Sequence, residues 1–170
     1  SKEHVRFLVD KFKINPWQVE VSGLCDKPFK FDALDMAKKL GLEERVYRFR
    51  CVEAWSMIVP WTGYTLSKLL KQAEPKASAK YVKFYTAMKP AEMPGLARLP
   101  QYPWPYTEGL RLDEAMHDLT FMATGIYGEP LPKQNGAPLR LVVPWKYGYK
   151  SIKSIVKIEF TDRQPKTLWN

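Results

Sequence analysis

Histidine and cysteine are scarce in this 170-residue chain: two of each, at His4, His117, Cys25 and Cys51. Neither cysteine has a second Cys or a His at ligand spacing, which excludes finger-type metal sites. A single Cys25–Cys51 disulfide is the most that two thiols allow, and a domain of this length buries enough core not to need one. No Gly-x-Ser-x-Gly elbow, Walker loop or dinucleotide fingerprint occurs, and His117 in Ala115-Met116-His117-Asp118 reads as a helix-end residue, so a serine hydrolase or nucleotide enzyme is unsupported. No apolar run approaches the ~20 residues needed to cross a bilayer. Ser1–Asp10 has no signal-peptide core, which reads as a water-soluble chain.

Acidic residues are also in deficit, 18 against 27 basic, for a formal charge of +9. That balance favours an anionic ligand, an anionic partner or a negatively charged membrane surface. With 45% hydrophobic and 14% aromatic residues, the composition is that of an ordered globular protein. Fourteen prolines against nine glycines imply stiff connections between short elements.

Alternation over Trp17–Val21 predicts a half-buried strand closed by Ser22-Gly23. Asp32 is placed to cap a helix over Ala33–Leu40 that Gly41 ends. Glu44–Val52 alternates again, with Tyr47, Phe49 and Cys51 on one face and Arg48 and Arg50 on the other, so Cys51 leaves a strand end for a loop. That loop is read as including Pro60-Trp61-Thr62-Gly63. Thr65 then caps a short helix carrying Leu66, Leu69 and Leu70, and Tyr81–Tyr85 forms a strand ending at Thr86. Five prolines between Lys89 and Tyr106 predict a long loop. A helical turn at Leu112–Met116, a strand near Thr120–Tyr127, a turn at Gly128-Glu129-Pro130 and two strands at Leu139–Val143 and Ser154–Phe160 complete a single domain over residues 1–170.

Two constellations carry chemistry. Cys51 lies in Arg48-Phe49-Arg50-Cys51-Val52-Glu53, where positive charge favours the thiolate that attacks electrophiles or binds soft metals. The same pattern also suits a buried free cysteine beside a solvated strand face. Glu53 reads either as a general acid beside a cysteine-bound centre or as a partner for Arg50. The second constellation is Gln134-Asn135-Gly136-Ala137-Pro138-Leu139-Arg140 with Trp145–Lys153, where Arg140, Lys146, Lys150 and Lys153 surround Gly148. Backbone N–H groups and cations in such a turn can cradle a phosphate; an Asn-Gly turn with solubilising lysines is the plainer reading.

Arg50–Met57 with Pro60-Trp61, Glu108–His117, Asn135–Pro138 and Pro144–Gly148 together resemble the family of catalytic subunits of bacterial periplasmic protein-methionine-sulfoxide reductases. These belong to the sulfite oxidase superfamily of molybdenum enzymes. The likeness runs over nearly the whole chain, with its motifs in order. It implies an α+β, β-rich mixed-sheet domain of the sulfite oxidase molybdopterin-binding type. It further implies a molybdenum-molybdopterin cofactor with Cys51 as metal ligand, Thr86, Asn135, Arg140, Ser151, Ile152 and Lys153 as cofactor-binding residues, and Glu53 in proton transfer. The implied reaction reduces methionine sulfoxide in oxidised periplasmic proteins, with electrons from a haem-bearing membrane partner and no nucleic acid involved.

In that family a twin-arginine signal, an N-terminal segment supplying an Asn and a Tyr to the cofactor, and further C-terminal chain flank the equivalent region. Their absence here implies a fragment, incomplete at both ends, that holds molybdopterin weakly. Two alternatives stand beside this reading: a sulfite oxidase-like molybdoenzyme running oxygen transfer the other way, and a non-enzymatic basic module for nucleic acid or membranes.

Overall fold

The computed structural model describes residues 16–50, 56–87, 107–132, 136–146 and 153–165. Cys51, Glu53, Asn135, Ser151 and Ile152, with the Lys89–Tyr106 loop, lie outside the described residues.

Two mixed or antiparallel sheets form the body. The elements run β1 (Gln18–Gly23), β2 (Phe29–Asp32), α1 (Ala33–Leu40), β3 (Glu43–Arg50), β4 (Ser56–Thr65), α2 (Leu66–Lys71), β5 (Tyr81–Thr86), β6 (Thr107–Arg111), α3 (Leu112–Ala115), β7 (Phe121–Ile126), β8 (Glu129–Pro130), β9 (Arg140–Val142) and β10 (Ile155–Thr161). The first sheet has the order β2-β1-β10-β5-β6, the second β3-β4-β7-β8 with β9 also on β7. The pairing of β1 with β10 is parallel and joins the two ends of the described chain. The fold class is as expected: α+β, rich in strand, with short helices.

Local chemistry explains α1. Asp32 accepts from the N–H groups of Leu34 and Asp35, each at 3.1 Å, while its other oxygen accepts from Trp17 N–H at 3.1 Å. One carboxylate thus caps the helix and ties it to the start of β1. Gly41, at φ +78°, ends the helix by donating to Ala37 O at 3.0 Å.

Alternation then sorts the side chains. On β1, Val19 and Val21 point inward, and Val82 and Phe84 on β5 meet Ile155, Ile158 and Phe160 on β10 in a large core. Each such side chain contributes about 1.5–3 kcal/mol on burial. The second sheet turns Tyr64, Met122 and Leu141 toward this core. Its other face builds a smaller cluster from Val59, Trp61, Phe121, Ala123 and Val142, closed by Leu131 and Ala137.

Three readings need correction. Pro60-Trp61-Thr62-Gly63 is not loop but the middle of β4, paired to β3 on one side and β7 on the other. Pro60 is tolerated because its carbonyl accepts from Tyr127 N–H at 3.0 Å, one residue past the end of β7 at Ile126, so its missing N–H faces a position where the ladder has run out. Thr65 holds the N-cap position of α2 but its side chain makes no capping bond; its hydroxyl accepts from Ser67 Oγ at 3.3 Å. Strands β2 and β6 were not expected, being short and, in β6, interrupted by Gly109.

Candidate anion and cofactor site

The strand β9 places Arg140. Leu141 faces the large core, so Arg140 and Val142 face the other way, opposite Ala123 and Phe121 on β7. The small Ala123 leaves room for a long neighbour. The guanidinium carbon lies 4.7 Å from the centre of the Trp61 ring, and both residues are nearly sealed, at 4% and 3% exposed. Burial pulls the Arg140 pKa down to about 10. A cation so desolvated is normally costly, and the face of an indole is one of the few uncharged surfaces that attract it.

Lys153 approaches the same spot from the start of β10. Its pKa is lowered, first by partial desolvation and second by the like charge of Arg140. Between the two stems runs Gly136 at φ +103°. A Cβ there would lie 2.9 Å from Lys153 Cγ, 3.0 Å from Lys153 Cβ and 3.1 Å from Arg140 Cβ. Only glycine suits both the backbone angle and the space.

Backbone bonds lock this corner. Ser154, at φ +52°, donates N–H to Gly136 O at 3.3 Å and Oγ–H to Ala137 O at 3.0 Å. Ile155 N–H donates to Leu139 O at 3.2 Å, and Ala87 N–H to Ser154 O at 3.0 Å. Thr86, buried at the end of β5, pairs in register with Ile155. Of the residues expected to bind cofactor, Thr86, Arg140 and Lys153 are therefore gathered at one corner where the two sheets meet. β3 ends at Arg50 and β4 begins at Ser56, their closing pair, so residues 51–55 are the connection of that hairpin. Trp61 lies on the same strand, about 17 Å of extended chain beyond Ser56.

Lys146 is not part of the corner. Its ammonium lies 2.9 Å from Glu114 Oε2 on α3, so the expected four-cation cradle around Gly148 is reduced, among the described residues, to Arg140 and Lys153 at Gly136. Burial alone would raise the Glu114 pKa, but Lys146 and the Arg111 N–H outweigh it and hold the carboxyl below its usual range. Trp61 and Ser154 went unnoticed in the sequence. The alternation through 56–65 was the available signal for Trp61; nothing local marks Ser154.

The arrangement fits a phosphate-bearing group. Two cations repel each other across a glycine turn, an anion between them relieves that repulsion, and the missing Cβ lets backbone approach it. Residues 6–169 match the family model described as "Oxidoreductase molybdopterin binding domain".

The chain belongs to the oxidoreductase molybdopterin-binding domain family.

Curated relatives agree with that membership. The chain is 58% identical over 158 residues to the protein-methionine-sulfoxide reductase catalytic subunit MsrP of Xanthomonas campestris pv. campestris, covering 93% of this chain and 49% of the relative. Identity to the MsrP subunit of Burkholderia mallei is 57% over 156 residues, covering 92% and 47%. The chain thus spans about half the length of the curated relatives it matches. Among solved structures, the sulfane dehydrogenase SoxCD of Paracoccus pantotrophus superposes with a TM-score of 0.73 at 19% identity, covering 90% of this chain and 40% of that one. That likeness establishes a shared molybdopterin-domain fold of the sulfite oxidase type.

Proposed function

We propose that this chain is the molybdopterin-binding body of an enzyme that reduces methionine sulfoxide in oxidised periplasmic proteins. The observation that supports it best is the Arg140–Gly136–Lys153 corner in a chain more than half identical to MsrP subunits. Arg140 and Lys153 would hold the phosphate end of the cofactor, Thr86, Asn135, Ser151 and Ile152 its polar edges, and Cys51 its molybdenum through a thiolate. When bound, the molybdenum-molybdopterin group supplies the two-electron redox chemistry by which sulfoxide oxygen is removed, the net change being sulfoxide plus two electrons and two protons to thioether plus water.

The chain's own residues do the rest. Paired cations orient the cofactor by its anionic end, and the hairpin bearing residues 51–55 presents the thiolate from the other. Glu53 delivers a proton near the reacting oxygen. The relatives are named catalytic subunits, which supports a separate electron donor; we assign that role to a haem-bearing membrane partner.

The test uses the protein extended by the flanking chain its relatives carry. Cys51→Ser should abolish turnover of a methionine-sulfoxide peptide while leaving the fold intact by circular dichroism. Undiminished turnover, or faster turnover of sulfite than of the sulfoxide, would remove this function.

A further inference from the structure

We infer that Trp61 is a positioning residue for cofactor binding: its indole holds Arg140 charged and aimed at the phosphate corner. The inference rests on the molybdopterin-binding reading and goes beyond it, since Trp61 is assigned no role by family membership or by any relative's name.

The argument begins with what a buried arginine needs. Arg140 is almost completely enclosed, and burial works against its charged form. A carboxylate packed on it would compensate the charge by cancelling it. An aromatic face compensates differently: the ring quadrupole attracts the cation but carries no net charge, so the site stays positive. Stacking also occupies the flat face of the guanidinium, whereas the N–H donors that recognise phosphate lie in its plane. The 4.7 Å separation from the Trp61 ring therefore fixes the plane of the group without competing for those donors.

Placement strengthens the case. Trp61 is on β4, which pairs with β7 through Trp61↔Ile126 and Gly63↔Ala123, and Ala123 pairs with Arg140 on β9. Ring and guanidinium are thus set by one continuous ladder, and neither can shift without disturbing it. The same β4 closes against β3 at Ser56 and Arg50, the two residues that flank the Cys51 connection. One strand therefore carries both the support of the phosphate-binding cation and one root of the thiolate loop. Arg140 also lowers the Lys153 pKa, so loss of its alignment would weaken both cations' hold on the anion.

The test titrates inorganic pyrophosphate onto the 170-residue chain by calorimetry. Wild type should bind, and Arg140→Met should not. Trp61→Leu should lower affinity by about tenfold, while Trp61→Phe, which keeps a ring face, should stay within about threefold. Melting midpoints are followed in parallel. If Trp61→Leu binds like wild type, or Trp61→Phe loses as much as Trp61→Leu, the positioning role is wrong although the anion site stands. If wild type fails to bind, or Arg140→Met binds undiminished, the anion site itself falls and the role with it. Should Trp61→Leu not fold, the wild-type chain still decides: nitrogen-15 spectra should show the Arg140 Nε–H shifted by ring current and slow to exchange. An unshifted, rapidly exchanging signal would overturn the inference.

Discussion

Cations meet aromatic rings at two places in this molecule, at similar distances and with different consequences. On the outer face of the first sheet, Lys83 and Lys157 lie 4.9 and 5.1 Å from the centre of the Tyr85 ring. Tyr85 donates its hydroxyl to Glu159 at 2.9 Å, and Lys157 lies 3.7 Å from the same carboxylate. Partial burial and then Glu159 push the phenol up to about 12, and the group is otherwise a solvated, self-neutralising surface cluster. In the second sheet, Arg140 and Trp61 make the corresponding contact with water excluded. Geometry alone does not separate the two; solvent access does. Water and a carboxylate screen the exposed pair to a small net effect, whereas the buried pair keeps a positive field in a low dielectric where it acts strongly on an anion.

Substitutions can break that contrast, beginning with the largest effect. Arg140→Met should cost about 100-fold in pyrophosphate affinity, the loss expected for a bidentate, desolvated guanidinium–phosphate contact. Its cofactor-free stability should fall by no more than about 1 kcal/mol, because a buried charge is exchanged for an apolar chain; urea unfolding of the same samples checks this. Gly136→Ala should destabilise the chain by about 1–3 kcal/mol, since it puts a side chain at φ +103° against both cationic stems. A denaturation midpoint equal to wild type would show that the turn is not held as described.

Lys153→Met should lower pyrophosphate affinity by about fivefold at neutral pH and change its pH dependence. The folded-state pKa of Lys153 lies below its ordinary 10.5. Between those two values the unfolded chain holds more protons than the folded one, so stability rises with pH across that window. The penalty of keeping Lys153 charged is fully present below it. Anion affinity moves oppositely, falling as Lys153 loses its proton, and Lys153→Met should flatten that fall. The smallest effect is expected at the exposed cluster: Lys83→Met should change stability by less than about 0.5 kcal/mol and leave pyrophosphate binding unaltered. A loss of binding there would mean that long-range charge, and not the buried pair, holds the anion.

Much of the architecture was legible where it is local. Asp32 and Gly41 bracket α1, and period-two alternation located β1, β5, β7, β9 and β10 because each has one face on a core. β4 was not legible. Pro60 and Gly63 argue for a loop in isolation, and become acceptable only because β7 ends beside Pro60 and Met122 O comes within 2.0 Å of a Cβ position at Gly63. Thr65 likewise invites a capping bond that a nearby Ser67 hydroxyl replaces. At the site, Arg140 and Lys153 were identified through family motifs, and the structure brings both to Gly136. Lys146 carries the same charge in the same basic stretch, and was drawn to Glu114 instead.

By itself, then, the amino-acid order determined the short-range features: the capped helix, the alternating strands, the basic excess and the motifs that mark the molybdopterin-binding family. Which cation is buried, and against what, was decided by tertiary structure alone. Trp61 and Arg140 are far apart in the chain and meet only through β7, and the exclusion of water that gives their contact its strength belongs to the packed sheets, not to either residue.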